Sequence, residues 1–456
     1  MDGVTDGLAD LQPAEVPRPR ETGAAAATRA GEIRPRWDWV EPTVWTKRML
    51  TALEQGVKGG VWFSLIDKVY SPTTLRKAFA KVKANHGAAG VDHQTLAMFE
   101  SRLDENLDEL HRLLKEGRYR PQAVRRKWIP KPGKKQEERP LGIPTVRDRV
   151  AQTALRLVME PIFERDFAEQ SYGFRPKRGC KDALRRVTGL LRAGYTWVVD
   201  ADLKSYFDSI PHGKLMERVR AKVADGRVLA LIEAYLQQKV LDGMEEWTPE
   251  AGSPQGAVIS PLLSNIYLDP LDQHMVRSGI EMVRYADDFV ILCRTEGDAR
   301  AALERVGAWT VEAGLTLHPD KTRIVDATQE GGFDFLGYHF ECGRVDPSAK
   351  SLRKFKDAVR VETRRTNGHS LTAIVAKLNP KLRGWFEYFK QGLKRWSSRL
   401  DGWIRRRLRS ILRKRHGGYG ISSGREQVRW PNRYFAEQGL FSLREARATA
   451  CQSATR

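Results

Sequence analysis

Hydrophobic and polar positions change texture several times along the 456-residue chain. Over residues 1–36, Pro, Gly, Ala and scattered charges follow no period, which predicts a disordered lead. From Pro42 to about Leu114 the spacing is helical, and one helix should start after Ser71-Pro72 and run through Leu75, Phe79 and Val82. Proline suits that start because its fixed φ is already helical. A turn-rich link, His86-Gly87-Ala88-Ala89-Gly90-Val91-Asp92, comes next. Residues 118–146 then alternate as extended strands about a Pro-Gly-Lys-Lys turn, and helical text resumes from about Val146 to Phe167.

Between 195 and 345 the two periods interleave, predicting an α/β core. Its expected parts are a strand at 196–203, helices near 211–224 and 227–240, a loop at 249–256 and a further helix. A hairpin near 282–292, a helix from Asp298 to Ala313 and a last hairpin through Phe333 to Phe340 complete it. Past Ser348 the text is helical again, with Asn379-Pro380 marking a helix start. Leu382, Trp385, Phe386, Phe389, Leu393, Trp396, Leu400, Trp403 and Ile404 recur there at helical spacing, as a buried side does. Opposite them lie Lys381, Arg383, Lys390, Lys394, Arg395 and Arg399, and the run Arg405-Arg406-Arg407 extends the basic side. The aromatic residues are expected to be helix core. The cations repel one another unless phosphates or acidic partners relieve them.

A chain of this length exceeds one typical core and should form two or three domains. Lys and Arg total 78 against 57 Asp and Glu, an excess of 21 positive charges that suits a polyanionic partner and salt-dependent binding. Cys180, Cys293, Cys342 and Cys451 are too scattered for a zinc knuckle or a disulfide framework, which fits a reducing cytosol. No stretch resembles a signal peptide or a membrane span.

The chemistry concentrates in Arg284-Tyr285-Ala286-Asp287-Asp288-Phe289-Val290-Ile291, where two adjacent carboxylates interrupt an apolar hairpin. Upstream, Val198-Val199-Asp200-Ala201-Asp202-Leu203 is a second apolar strand ending in acid. Buried carboxylates need neutralising, and Arg284 is the one basic residue within these two stretches. Divalent metal supplies the missing charge, and two ions can bind both oxygens of a phosphoryl displacement. These residues point to a nucleic-acid polymerase.

The ordered motifs resemble the reverse transcriptases encoded within bacterial group II introns, which also act as maturases. The resemblance runs from near Trp45 to about Leu443, through Asn85-His86-Gly87-Ala88-Ala89-Gly90-Val91-Asp92, Arg139-Pro140-Leu141-Gly142-Ile143-Pro144 and Tyr172-Gly173-Phe174-Arg175-Pro176. It continues through Asp202-Leu203-Lys204-Ser205-Tyr206-Phe207-Asp208, Gly252-Ser253-Pro254-Gln255-Gly256, the acidic hairpin, Phe335-Leu336-Gly337-Tyr338, and Leu378-Asn379-Pro380-Lys381-Leu382-Arg383-Gly384-Trp385. It implies an α+β right-hand polymerase followed by an α-helical thumb or maturase domain. The expected segments are 1–36 as lead, 37–194 as N-terminal extension and fingers, 195–345 as palm, 346–443 as thumb and maturase domain, and 444–456 as tail.

By the same resemblance, Asp202, Asp287 and Asp288 are the catalytic carboxylates and hold two Mg²⁺ ions, with Asp287→Ala the natural test. Asp200 ranks below Asp202 as an outer acid, and Asp208 is expected to cap a turn or helix. Phe207 matches the steric gate that excludes a 2′-hydroxyl, with Tyr206 as runner-up. Lys131 and Arg139 match the clamp on the nucleotide triphosphate. Gln255 and Gly256 match the nucleotide pocket loop, Lys321 the palm surroundings, and Arg175 a template-backbone contact or, equally, a domain-packing ion pair. Lys381, Arg383, Lys394, Arg395, Arg405, Arg406 and Arg407 are the expected nucleic-acid contacts of the thumb. The implied partners are group II intron RNA, an RNA template with a DNA primer or target, and deoxynucleoside triphosphates. A cytoplasmic, nucleoid-associated monomer without a membrane or a C-terminal endonuclease domain is expected. A defence- or CRISPR-associated reverse transcriptase and a splicing-only maturase are the alternatives.

Overall fold

A computed structural model describes residues 36–130, 138–418 and 424–453. The chain divides into a leading unit, Met1–Asp38, and a large unit, Trp39–Arg456, which concerns everything below. The lead expected at 1–36 lies, but for Arg36, outside the described residues.

The strands are β1 (Val124–Pro130), β2 (Glu138–Ile143), β3 (Trp197–Asp202), β4 (Val240–Asp242), β5 (Glu245–Trp247), β6 (Glu281–Tyr285), β7 (Asp288–Cys293), β8 (Arg323–Asp326), β9 (Phe333–Phe335), β10 (Tyr338–Glu341) and β11 (Arg344–Pro347). They form three sheets, ordered β2-β1-β4-β5, β6-β7-β3-β8 and β11-β10-β9. The alternation at 118–146 becomes the β1–β2 hairpin, extended by the short β4–β5 pair. The first helix of the expected set is Pro72–Ala84, with its proline in the opening turn.

In the central sheet β3 pairs antiparallel with both β7 and β8. Partners across an antiparallel pair share a face, so Val198 and Leu292, Asp200 and Val290, and Asp202 and Asp288 stand on one side of it. That face is apolar at one end and acidic at the other. Its apolar end joins a core with Phe333, Phe335, Tyr338 and Phe340, and with Leu378, Phe386 and Phe389 from the helix Leu371–Phe389. The opposite face packs against the helix Glu296–Glu312. Two helices, Val146–Glu164 and Ser260–Arg277, are buried on most sides and carry little amphipathic bias.

Trp385 stacks on Phe355 at 4.3 Å and Phe389 lies 4.9 Å from Tyr338, so these rings are helix core, as expected. The helix start expected at Asn379-Pro380 is corrected, because Pro380 lies inside Leu371–Phe389, which Ser370 caps. The apolar series Leu371, Ile374, Val375, Leu378 and Leu382 runs through the proline, so packing overrides the local stop signal. Asn379 is not a cap. Its side chain donates to Gly439 O at 2.8 Å and accepts from the Phe441 N–H at 2.9 Å.

Candidate active site

The acidic end of the central sheet is set by backbone register. Asp202 ends β3 directly opposite Asp288, the first residue of β7. Tyr285 pairs with Asp288, which leaves Ala286 and Asp287 as a two-residue turn. Ala286 adopts φ 60°, as such hairpin turns require but alanine seldom does. The turn is therefore braced from below. Arg284, wholly buried, donates to Ala286 O at 2.8 Å, Asn265 Oδ1 at 3.0 Å and Ser171 Oγ at 2.8 Å, and pairs through two nitrogens with Asp272. Gly173 presses on the same turn, where a Cβ would stand 2.1 Å from Ala286 N.

Arg284 is on the face of Phe289, where Asp272 takes its ion pair, and of the acids only Asp287 feels its charge, which partly offsets the burial that raises that carboxyl. Their cations come from farther along the chain. Lys321 pairs with Asp202, and Arg323 Nε lies 3.4 Å from Asp200. The loop bearing Lys321 is stitched to the end of β3 by His318 N donating to Asp202 O at 2.7 Å and Lys204 N donating to Thr316 O at 2.9 Å. Burial pushes the Asp288 carboxyl up to about 7, and Asp200, Asp287 and Asp202 add to the shift. Burial also raises Asp287 and Asp200 above the usual carboxylate range. Among the described residues no three Asp, Glu, His or Cys side chains converge as a ready metal cage. The donor set still fits a hard divalent cation: oxygen ligands only, crowded and short of positive charge.

Phe207 and Tyr206 separate cleanly. The strand ends at Asp202, and Ser205, in the left-handed region at φ 49°, redirects the chain into a short helix, Tyr206–Ser209. Tyr206 is buried and its hydroxyl donates to Ser264 O at 2.8 Å, so the runner-up gate is a core residue. Phe207 remains half-buried at the surface. Its carbonyl accepts from Ser253 N at 2.7 Å, which ties it to the loop carrying Gln255 and Gly256. Gln255 O in turn accepts from Gly142 N at 2.6 Å. Gly256 has φ +105°, and a Cβ there would come within 2.4 Å of Gly142 O. Arg139 is exposed on β2, on the same face as Leu141. Asp208, expected as a cap, lies inside the short helix and borders a cavity of about 500 Å³ with Arg126, Trp247 and Gln255. Lys131 lies outside the described residues.

The expectation that Arg175 contacts template is corrected in favour of its packing alternative. Its guanidinium is buried, bonds both Glu164 oxygens at 3.0 Å from Nε, and donates to Ala168 O and Ser171 O at 2.5 and 2.8 Å. Arg407 is corrected as well: it donates to Thr363 Oγ1 at 2.6 Å and Thr363 O at 3.0 Å and braces two helical segments. Arg405 lies 4.0 Å from Asp401 and is mostly covered. Lys381 pairs with Glu362, Arg395 with Asp346 at 3.3 Å, and Arg383 sits 4.7 Å from the Phe441 ring. These three, with Lys394 and Arg406, are exposed. Sequence reasoning placed Arg284 only as the basic residue beside the acids and Gly173 only within a motif, and it missed Asp272, Asn265 and the bracing role of the set. A charged residue inside an apolar strand was the available signal.

Residues 129–340 match the family model described as reverse transcriptase (RNA-dependent DNA polymerase), and residues 352–430 match that of the group II intron maturase-specific domain. Protein YkfC of Escherichia coli strain K12 is 34% identical over 355 residues, 69% of this chain and 91% of its own. The group II intron-encoded protein LtrA of Lactococcus lactis subsp. cremoris is 35% identical over 215 residues, 47% of this chain and 35% of its own. Among solved structures, a partial Cas6-RT-Cas1–Cas2 complex covers 55% of this chain and 41% of its own at 24% identity and TM-score 0.36. Enzymes of the reverse transcriptase family generally use divalent metals. No described helix is long and apolar enough to cross a membrane.

Proposed function

The chain belongs to the family of group II intron-encoded reverse transcriptases that carry a maturase-specific domain, RNA-directed DNA polymerases, and from that premise we propose that it copies group II intron RNA into DNA during retrohoming and binds the same RNA to assist splicing. The observation that carries this reading is the register that sets Asp202 opposite Asp288, with Asp287 in the adjoining turn.

In this reading Asp202, Asp287 and Asp288 hold two Mg²⁺ ions. When bound, the ions lower the pKa of the primer 3′-hydroxyl and stabilise the leaving pyrophosphate. Lys321 keeps Asp202 aligned from the side. Arg139, with Lys131, clamps the triphosphate of an incoming deoxynucleotide through charge-assisted bonds. The Phe207 ring excludes a 2′-hydroxyl, and Gln255 and Gly256 shape the pocket around the base pair. Segments 37–194, 195–345 and 346–443 divide the work as fingers, palm and thumb. Lys381, Arg383, Lys394, Arg395 and Arg406 face RNA phosphates, while Arg175 and Arg407 hold the fold. The template is RNA, the primer is a DNA 3′ end, and the protein works as a monomer in the cytoplasm, on the nucleoid.

Primer extension and intron splicing at near-physiological Mg²⁺, with wild type and Asp287→Ala, test both activities. Asp287→Ala should lose at least about a thousandfold in synthesis, roughly 4 kcal/mol of transition-state stabilisation, and keep its splicing support. Absence of synthesis by the wild type would overturn the polymerase reading.

A further inference from the structure

The turn between β9 and β10, Leu336-Gly337, has both residues in the left-handed region, at φ 48° and 80°. One side of it lies at the acidic end of the sheet, where β9 packs against β7 and β3 and the Leu336 backbone N–H faces the Asp288 carboxyl closely enough to favour its charged form. Its other side is held by the helices that follow. Tyr388, near the end of Leu371–Phe389, donates its hydroxyl to Leu336 O at 2.8 Å. Ser351 Oγ and Ser348 N each donate to Gly337 O at 2.9 Å. A Cβ at Gly337 would stand 2.9 Å from Ser351 Oγ and 3.6 Å from the Phe389 ring, so the glycine is what lets these helices close on the turn. Tyr338 completes the attachment by donating its hydroxyl to Tyr388 O.

We propose that Tyr388 is a positioning residue for DNA synthesis: acting through Leu336, it holds the β9–β10 turn against the catalytic carboxyl and so couples the C-terminal helices to the polymerase centre. Tyr388 lies within the segment that matches the maturase-specific domain. A helix of the RNA-binding part thereby supplies one of the bonds that set the geometry of the polymerase. The proposal rests on the polymerase reading above. Its physical content is specific. Without the hydroxyl, Leu336 O loses its donor, the turn loosens, and Asp288 is less often in the orientation synthesis requires. None of Leu336, Gly337, Ser348, Ser351 and Tyr388 is among the nucleotide contacts assigned above or the exposed cations of the helical segment. Affinity should therefore be spared while turnover falls.

The test is single-nucleotide incorporation by the full-length protein on a defined RNA template and DNA primer, with kcat and KM for the deoxynucleotide measured separately. Tyr388→Phe keeps the ring against Phe389, and Ser351→Ala removes an independent bond to the same turn. Thr372→Ala removes a hydroxyl at the other end of the same helix, where it faces Gln438. Tyr388→Phe and Ser351→Ala should each lower kcat about fivefold, with KM, intron-RNA Kd and Tm unchanged and Thr372→Ala like wild type. Unchanged kcat in both variants, or a fall in kcat accompanied by equal losses of RNA affinity and Tm, would overturn the proposal. Failure of the wild type to incorporate nucleotide strikes the polymerase reading instead.

Discussion

The β6–β7 hairpin carries opposite electrostatic solutions on its two faces. On one, Asp200, Asp202, Asp287 and Asp288 crowd together, with Lys321 and Arg323 reaching them only from the rim. On the other, Arg284 is wholly buried and its donors meet Asp272, Asn265, Ser171 and a backbone carbonyl. The balanced face fixes geometry. The unbalanced face stores a demand for positive charge, which in the proposed function a divalent ion answers. The difference separates buried charge that holds a fold from buried charge left free to bind a cation: in the first every donor has a partner, in the second like charges stay together.

The largest effect is expected from breaking the balanced side. Arg284→Met should leave Asp272 as an uncompensated buried charge and cost about 3–5 kcal/mol of stability, read by denaturant unfolding. Adding Asp272→Leu should recover much of that loss, because a neutral pair leaves no orphan charge. A single variant as stable as wild type would mean that the ion pair does not brace the turn.

This contrast also explains what was legible beforehand. Val198-Val199 and Phe289-Val290-Ile291-Leu292 are short apolar, largely β-branched runs that announce two buried strands, and acids that interrupt such strands stand out. The service of Arg284 to the opposite face was not legible, since Ser171 comes from a distant element and Asp272 from the preceding helix, whose packing against the strand only the fold reveals. Arg175 shows the same limit. Its neighbours in sequence mark a motif, yet only the fold reveals that Glu164 and two carbonyls have claimed its donors. The pair β4 and β5 was missed because three-residue strands about Gly243 are too short to display a period.

A pH titration sharpens the unbalanced side. With Asp288 raised to about 7 in the metal-free protein, the folded state holds a proton that the unfolded chain, with its carboxyls near 4, has already released. Between those values the folded state binds more protons, so stability should fall as pH rises from about 4 to 7 and level off above. Asp288→Asn should flatten that decline, and thermal unfolding in the presence of a chelator would follow both. A stability curve that rises over this window in wild type and stays the same in Asp288→Asn would show that the acids are not competing for charge.

The smallest effect carries the comparison out to the helical segment, whose Arg406 contrasts with Arg175, buried beside the helix Val146–Glu164. Arg406 is exposed, and at the surface one arginine adds little to stability. If it meets a phosphate, Arg406→Ala should lower the slope of log affinity against log salt by about one and leave Tm alone. Arg175→Ala should do the reverse, lowering Tm because Glu164 is left buried without its partner, with the salt slope unmoved. Filter binding to intron RNA across a salt series, alongside thermal unfolding, measures both. Arg406→Ala with an unchanged slope would remove it from the RNA surface, and a reduced slope in Arg175→Ala would mean that its buried guanidinium is released when RNA binds.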